Sequence, residues 1–153
     1  MFLGERQDRT VKGRMIYNGK PTREWLSRED SASPTAAPES IMLTEVIDAH
    51  KERNVMTCNI PNAFIQVLIP KVQDGDKRVM MKITGVLVNM LAKLNPEVYG
   101  PSMVYEKNRK ALYVQVMRAI YGMLEAALLW YKKFQGGFEQ AGFKFNPYYP
   151  CVA

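Results

Sequence analysis

The sequence is poor in the residues that build metal centres, disulfide frameworks and membrane spans. Its 153 residues include only two cysteines, Cys58 and Cys151, and one histidine, His50. The cysteines lie far apart with no metal-ligand spacing, which predicts reduced, buried thiols of an intracellular protein, cytoplasmic or nuclear. A single histidine leaves little scope for a histidine-based metal site or catalytic triad. No apolar run approaches the length of a membrane span, and the first ten residues have no apolar signal core, so neither a membrane nor export is expected.

What is present has the composition of a globular domain. The chain is 47% hydrophobic and 24% charged, and its length predicts a single domain over residues 1–153. The net charge of +6 is unevenly placed: residues 1–60 carry nine basic and nine acidic side chains, and residues 61–153 carry twelve and six. Such a surface attracts polyanions, including nucleic acid, although a charge of this size also serves solubility alone. The basic residues form no dense tract, only pairs and a cluster at residues 107–110.

The strand signals are short and scattered. Residues 11–17 are predicted to form a strand that opens a hairpin or loop at Asn18-Gly19, a strong turn dipeptide. Residues 55–60 are predicted to be a buried strand that Pro61 stops. Further strands are expected at residues 79–83, in a hairpin that joins 103–105 to 113–116 through a polar turn at 106–110, and in the extended segment 143–153. A polar turn is expected at residues 73–76.

The helix signals alternate irregularly with the strands. After an irregular stretch at residues 27–38, Pro38 and Glu39 favour the start of a helix that runs to about His50. Residues 63–69 are either one turn of helix or extended. Residues 86–94 are predicted to be a helix closed by Asn95-Pro96, and residues 124–140 form the clearest helix, with Gly142 at its end. Strands, hairpins and helices in this mixture predict an α+β fold rather than a doubly wound sheet.

Two segments carry more specific information than composition. The first reads NIPNAFIQ at residues 59–66, and the second contains LYV at 112–114, RAIYG at 118–122 and AALLWYKKF at 126–134. Their order and separation resemble the reverse transcriptase of copia-type retrotransposons. KGR at residues 12–14, SPT at 33–35, NP at 146–147 and CV at 151–152 fall in the order of that family. The resemblance spans residues 11–153.

The resemblance implies the fingers and an incomplete palm of a right-hand polymerase, with a mixed or antiparallel sheet packed on helices. The fingers would cover about residues 11–53 and the palm about residues 54–153. The family catalyses RNA-directed DNA polymerisation, a nucleotidyl transfer assisted by two Mg²⁺ ions. Its Asp-Asp hairpin should follow the strand that contains Cys151 and Val152. The sequence has no Asp-Asp dipeptide and stops at Ala153, so a palm truncated before that hairpin is expected.

Asn59 occupies the position of the family's first metal-binding aspartate. A neutral amide adds no negative charge to offset Mg²⁺, which prefers carboxylate oxygens. Asp74 and Asp76 flank Gly75 in a predicted loop, where solvated carboxylates are more plausible than a cation site. The sequence therefore predicts no metal site, no intact cofactor site and a chain that does not polymerise alone.

The resemblance assigns five other residues to nucleotide binding. Lys12 and Arg14 would point at the triphosphate, because alternate residues of a strand share a face. Asn62, Ala63 and Phe64 would lie under the incoming nucleotide, with the Phe64 ring against its sugar. The alternatives are solvated strand charges for the two basic residues and a core position for Phe64.

Three further positions would contact the template. Tyr121 and Gly122 would form the turn into a template-contacting helix, where glycine lets the backbone approach closely. Glu125 stands where many relatives carry a polar or basic side chain, and its charge would repel a phosphate. Trp130, Tyr131 and Phe134 are spaced for one helical face and are expected in the core, with base stacking as the alternative.

Three hypotheses follow. The first is a degenerate or truncated reverse-transcriptase fragment with residual affinity for an RNA or DNA template–primer. The second is a non-catalytic interaction module, in which an open sheet edge and an apolar face demand a partner or a second copy. The third is an active enzyme whose missing C-terminal polymerase segment comes from another chain or a longer product.

Overall fold

Helices and short antiparallel strands make up the described part of the chain. The computed structural model describes residues 2–5, 7–70 and 78–153, without the side chains of Phe2, Leu3, Lys12 and Arg14, so the turn expected at residues 73–76 lies outside the described residues. The elements are β1 (Phe2–Glu5), β2 (Val11–Arg14), α1 (Pro38–His50), β3 (Met80–Thr84), α2 (Val86–Leu94), α3 (Pro96–Tyr99), β4 (Met103–Glu106), β5 (Arg109–Gln115) and α4 (Ala126–Gln140). Short 3₁₀ helices cover Lys20–Glu24, Phe64–Gln66 and Gly100–Ser102. This mixture confirms the α+β prediction.

The chain divides into two compact units. The first comprises Met1–Val67 with Ala119–Ala153, and the second comprises Leu68–Arg118. Neither boundary falls at residues 53–54, where the resemblance divides fingers from palm, and that assignment stays a prediction. Each unit has a small buried apolar set: Val67, Ala119, Met123 and Ala126 in the first, and Val88, Ala111, Leu112 and Val116 in the second.

The first unit begins with a hairpin in which β1 pairs antiparallel with β2. Its turn is held by Asp8, whose Oδ1 accepts hydrogen bonds from the Thr10 N–H at 3.0 Å and the Thr10 hydroxyl at 2.6 Å. These bonds stabilise the carboxylate and lower the pKa of Asp8. The strand predicted at residues 11–17 is therefore confirmed for its first four residues, but its partner is the preceding strand.

Of the two alternatives predicted at Asn18-Gly19, a hairpin or a loop, the structure has the loop. A two-residue hairpin turn of this type needs positive φ at both positions, and Gly19 has a φ of −74°. The Asn18 side chain instead accepts a hydrogen bond from the Lys20 N–H at 3.2 Å, at the start of the 3₁₀ helix Lys20–Glu24. An asparagine that satisfies a local backbone donor favours a helical turn here over a strand reversal.

The helix α1 has the predicted bounds. Pro38 is at its first position and Glu39 is in its first turn, as the sequence indicated. The helix buries none of its 13 residues. Its existence is thus set by local signals rather than by packing within the described residues.

The buried strand predicted at residues 55–60 is wrong. This segment is irregular, and Val55 and Met56 are 63% and 86% exposed. A strand needs a hydrogen-bonded neighbour, and the described residues pair none with this segment. The expectation of buried cysteines also fails at Cys58, which is an exposed free thiol, whereas Cys151 is half-buried.

The helix α4 ends in a Schellman motif. The Gly142 N–H donates to the Glu139 carbonyl at 3.0 Å and the Phe143 N–H donates to the Phe138 carbonyl at 3.0 Å. Gly142 has a φ of +92°, and the rings of Phe138 and Phe143 are 5.1 Å apart. Both features are typical of this motif, which confirms the predicted end of the helix at Gly142.

The strand predicted after α4, at residues 143–153, is wrong. The Asn146 side chain accepts hydrogen bonds from the Tyr148 and Tyr149 N–H groups at 2.9 and 3.2 Å. The chain then folds back, so that the Asn146 N–H donates to the Val152 carbonyl at 2.8 Å. A turn centred on Asn146-Pro147 therefore replaces the extended segment.

The second unit contains a three-stranded antiparallel sheet in the order β3-β5-β4. The predicted hairpin is confirmed as β4 and β5, joined at Lys107 and Asn108, which have φ values of +44° and +63°. The helix α2 has the predicted bounds and contributes the fully buried Val88. Since cross-strand partners share a face, Lys82 and Thr84 of β3 lie on the same sheet face as Glu106 and Arg109.

Candidate functional site

Two segments of the first unit meet at a close backbone crossing. The Tyr17 N–H donates to the Tyr121 carbonyl at 2.7 Å, just beyond the end of β2. Gly122 follows with a φ of +92°, and a Cβ placed on it would lie 2.1 Å from the Tyr17 carbonyl oxygen. Gly19 is equally constrained, since its Cβ would lie 2.3 Å from the Gly122 carbonyl oxygen. Only glycine permits this approach.

Phe64 lies at the same crossing. Its ring meets the Tyr121 ring edge-on, with centroids 4.8 Å apart and an angle of 61° between the planes. The Ala119 N–H donates to the Val67 carbonyl at 3.0 Å, and the Lys133 ammonium donates to the Gln66 carbonyl at 2.6 Å. The segments 64–67 and 119–122, although distant in sequence, are thus held side by side. We call Phe64, Tyr121 and Gly122 the aromatic junction.

The structure brings together some of the sequence-predicted site residues. Ala63 is half-buried and directly precedes the 3₁₀ helix Phe64–Gln66, while Asn62 is exposed with a φ of +52°. Tyr121 is 49% exposed, so one of the two rings of the junction is open to solvent. Glu125 is half-buried and caps the start of α4 with its backbone, accepting the Leu129 N–H at 2.9 Å.

Other predicted site residues are not where the sequence predicted them, or their side chains are not among those that the structure describes. Asn59 is exposed in the irregular segment 51–60 and not at the end of a core strand. Lys12 and Arg14 lie in β2, on alternate positions, but their side chains lie outside the described part of the chain. Across residues 2–5, 7–70 and 78–153, no three His, Cys, Asp or Glu side chains come close enough to hold a metal ion.

The aromatic residues of α4 form a ladder rather than a sealed core. Trp130 and Phe134 have ring centroids 6.0 Å apart, and Phe134 and Phe138 have centroids 4.6 Å apart. Trp130 and Tyr131 are half-buried, but Phe134 remains 36% exposed. Partial burial, with smaller effects from Cys151 and Glu139, raises the pKa of the Tyr131 hydroxyl, which donates to the Pro150 carbonyl at 2.8 Å. Trp130 and Phe134 are in contact on one face, as predicted, whereas the Tyr131 hydroxyl binds the Pro150 carbonyl. The predicted core position is wrong for Phe134, which is exposed.

The second unit contains a cleft that sequence reasoning missed. It has a volume of about 910 Å³ and lies at the β4–β5 hairpin and the start of α2. Its charged residues are Lys82, Glu106, Lys107, Arg109 and Lys110, and we call it the basic cleft. The cluster at residues 107–110 was visible in the sequence, but Lys82 joins it only through the pairing of β3 with β5.

One carboxylate in the basic cleft is already engaged. Glu106 forms an ion pair with Lys82 and accepts a hydrogen bond from the Tyr113 hydroxyl at 2.5 Å. The hydrogen bond from Lys82 is the main reason why the pKa of Glu106 is lowered, and the same bond raises the pKa of Lys82. Both groups therefore stay charged across the physiological pH range, and the positive charge of Lys82 balances the negative charge of Glu106.

No family model matches the chain, and comparisons with curated proteins and with solved structures returned no significant match. Within the described residues, no helix has the length and apolar character needed to cross a membrane. Any assignment of function therefore depends on the residues of this chain.

Proposed function

We propose that the chain is a degenerate reverse-transcriptase-like region of the copia type, which binds a nucleic-acid template–primer without polymerising. The ordered motifs between residues 11 and 153 support this proposal. The observation that carries it is the aromatic junction, because Phe64 comes from the segment expected under the nucleotide and Tyr121 from the segment expected on the template. Two segments that the resemblance assigns to one site are in contact.

The absence of catalysis is proposed from Asn59. Two-metal phosphoryl transfer needs carboxylates to hold and neutralise the ions, and an amide in the first position supplies no charge. Glu125 adds a negative charge where the template phosphates would lie, which opposes tight binding. Residual affinity without synthesis is the combination that these two substitutions favour.

Primer extension tests the proposal directly. The protein is incubated with a labelled template–primer, all four deoxynucleotides and Mg²⁺ or Mn²⁺, beside an active reverse transcriptase as the positive control. We expect no extended product from this chain. Robust template-directed synthesis would contradict the claim that the Asn59 position is non-catalytic. If the missing carboxylates come from another segment, Asn59→Asp in a longer product that contains them should recover synthesis.

Binding is measured by fluorescence anisotropy with the same template–primer. We expect Phe64→Ala to weaken binding, because a ring that stacks on a base or sugar contributes about 1 kcal/mol or more, or about 5-fold in affinity. Tyr148→Ala is the matched control, since this tyrosine is in the same unit and is 86% exposed. Equal effects of the two substitutions would count against the aromatic junction as the binding site.

A second candidate function is a non-catalytic interaction module, and helix α1 favours it. The helix exposes five apolar side chains by 40–66%: Ile41, Met42, Leu43, Val46 and Ile47. An isolated helix shorter than about 12–15 residues is marginally stable in water, and α1 has 13 residues and buries none. A second copy of the chain that covered these side chains would stabilise the helix.

Size-exclusion chromatography with light scattering tests this second candidate over a range of protein concentrations. We expect a dimer that dissociates in Leu43→Glu and Val46→Glu, whereas Thr44→Glu, which adds the same charge to the same helix, leaves it intact. A monomer at every concentration would exclude self-association through α1.

A further inference from the structure

Helix α2 has an apolar row that the described residues leave uncovered. Val86, Met90 and Leu94 are 75%, 54% and 79% exposed. They recur every four residues, so they lie in one row along the helix, which we call the α2 stripe. Val88, on another side of the same helix, is fully buried. One face of α2 is therefore packed within the second unit, and a second apolar face lies in solvent.

Helix α1 of the first unit has a matching apolar face. Four side chains with the spacing i, i+1, i+4 and i+5 form it, and they are 40–66% exposed: Met42, Leu43, Val46 and Ile47. An apolar helix face in water gains free energy when it is buried, and two such faces bury one another when their helices pack side by side.

The two helices belong to regions of opposite charge. Helix α1 contains three carboxylates and no lysine or arginine. The second unit, which contains α2, has nine basic and four acidic residues in its sequence and so carries most of the net positive charge of the chain. Surfaces of opposite potential attract each other, whereas two acidic helices repel. A contact of α1 with α2 is therefore favoured over a contact of α1 with a second α1.

An antiparallel arrangement of the two helices matches these charges along their length. Glu39 lies in the first turn of α1, and Lys93 lies in the last turn of α2. Glu45 lies in the second half of α1, and Val86, at the start of α2, lines the basic cleft together with Arg109. Antiparallel packing brings Glu39 to Lys93 and Glu45 towards the cleft. It also sets the positive end of each helix dipole beside the negative end of the other.

We propose that α1 of one copy of the chain packs antiparallel on the α2 stripe of a second copy. The inference rests on the second candidate function, self-association through α1, and it names the surface that covers α1. Each copy carries both helices, so a two-fold dimer makes the contact twice. Both apolar faces are then removed from water in the same assembly.

Sedimentation equilibrium of the full chain over a range of concentrations tests the α2 side of the contact. We expect Met90→Glu to weaken the dimer about 10-fold or more, because the apolar side chain is lost from each of two contacts. The added carboxylate also faces the acidic α1. Gln115→Glu is the matched control, since it adds the same charge at an exposed position of the same unit and should leave the dissociation constant unchanged.

Further variants distinguish a lost contact from a lost fold. Met90 is more than half exposed, so Met90→Glu should retain the circular dichroism spectrum of the wild type. Glu39→Lys and Lys93→Glu should each weaken the dimer about 2–5-fold per contact, the value of one exposed ion pair. Glu39→Lys/Lys93→Glu exchanges the two signs and should return the affinity towards that of the wild type. An absence of recovery in this double variant would overturn the antiparallel pairing.

A mixture of two disabled chains identifies the helices that meet. Leu43→Glu disables α1 and Met90→Glu disables α2, so each variant should be monomeric on its own at a concentration where the wild type is dimeric. In the mixture, α1 of the Met90→Glu chain can pack on α2 of the Leu43→Glu chain, and one contact is intact. We expect a heterodimer, detected by fluorescence anisotropy of a labelled chain well above the wild-type dissociation constant. A mixture that stays monomeric would overturn the proposal.

The same measurements separate this inference from the function on which it rests. A dimer that is lost in Leu43→Glu and retained in Met90→Glu would overturn the inference, because α1 would then pack on another surface, and would leave the interaction module standing. A wild-type chain that is monomeric at every concentration would overturn both and leave the two faces to a partner other than a second copy. Loss of the dimer in both variants, with recovery in the mixture, would support both.

Discussion

Replacement of Gly122 by alanine tests the backbone crossing that holds the aromatic junction together. The added Cβ would lie 2.1 Å from the Tyr17 carbonyl oxygen and 2.7 Å from Cγ2 of Ile16. Real Cβ atoms essentially never approach heavy atoms closer than 3.0 Å, so the two segments must separate. The shift would break the 2.7 Å hydrogen bond between the Tyr17 N–H and the Tyr121 carbonyl.

The expected loss in the free energy of unfolding of Gly122→Ala is the sum of two effects. A φ of +92° is a left-handed conformation that costs a residue with a Cβ about 1–2 kcal/mol. The lost backbone hydrogen bond costs about 1 kcal/mol, and more if its donor stays buried without a partner. We therefore expect Gly122→Ala to lower the free energy of unfolding by about 2–4 kcal/mol, a large share of the 5–15 kcal/mol typical of a domain.

Urea denaturation followed by tryptophan fluorescence is the appropriate assay, because Trp25 and Trp130 both belong to the first unit. Gly136→Ala is the matched control, since nothing lies within 4 Å of a Cβ at Gly136 in helix α4. Alanine at that position should stabilise the unit by about 0.5–1 kcal/mol. A Gly122→Ala protein within about 0.5 kcal/mol of the wild type would refute the close crossing.

Three further predictions concern single side chains. Phe64→Leu should reduce the free energy of unfolding by about 0.5–1.5 kcal/mol beyond the small change in buried area, measured in the same urea experiment, because the ring contact is lost. The pKa of Glu106, followed by NMR titration, should lie below 4.5 and should rise in Lys82→Met. The ionised Glu106 stabilises the fold at pH values above its ordinary pKa, and this stabilisation is lost as the pH falls through the lowered pKa of the folded state. Because the pKa of Tyr131 is raised, the protonated hydroxyl contributes its full stabilisation of the fold at pH values below its ordinary pKa of 10.0. This stabilisation is lost as the pH rises through the raised pKa of the folded state. Tyr131→Phe should therefore flatten the fall in the free energy of unfolding at alkaline pH. An equally steep fall in the variant would show that other groups cause it.

Elements with strong local signals could be predicted from the sequence. Pro38 at the first position fixed the start of α1, and Asn95-Pro96 closed α2 at Leu94. Gly142 ended α4 because the left-handed residue of a Schellman motif is most often glycine. In each case the preference lies within one turn of the chain, so distant contacts are not needed.

The wrong predictions share a physical cause. The segment 55–60 has the composition of a strand, but strand formation depends on a neighbour that its own residues do not specify. The Asn146 side chain accepts hydrogen bonds from nearby backbone N–H groups, and these local bonds replace the predicted strand. At Asn18 a similar bond accompanies the loop, which was one of the two predicted alternatives.

The candidate sites likewise combine residues that the sequence indicated with contacts that depend on the fold. The sequence indicated Phe64, Tyr121 and Gly122 through ordered motifs, and it also contained the basic cluster that follows Tyr105. It could not place Lys82 beside that cluster, since the register of β3 against β5 is a long-range property.

Thus the amino-acid sequence by itself determined the α+β class, the ends of the main helices and the surplus of basic residues after residue 60. Only the tertiary structure decided that Phe64 meets Tyr121, that Asn59 is exposed on an irregular segment, and that Lys82 neutralises Glu106. Local backbone preferences act over one turn and can be read from neighbours in sequence. Contacts between distant segments depend on strand register and packing, which emerge only when the whole chain folds.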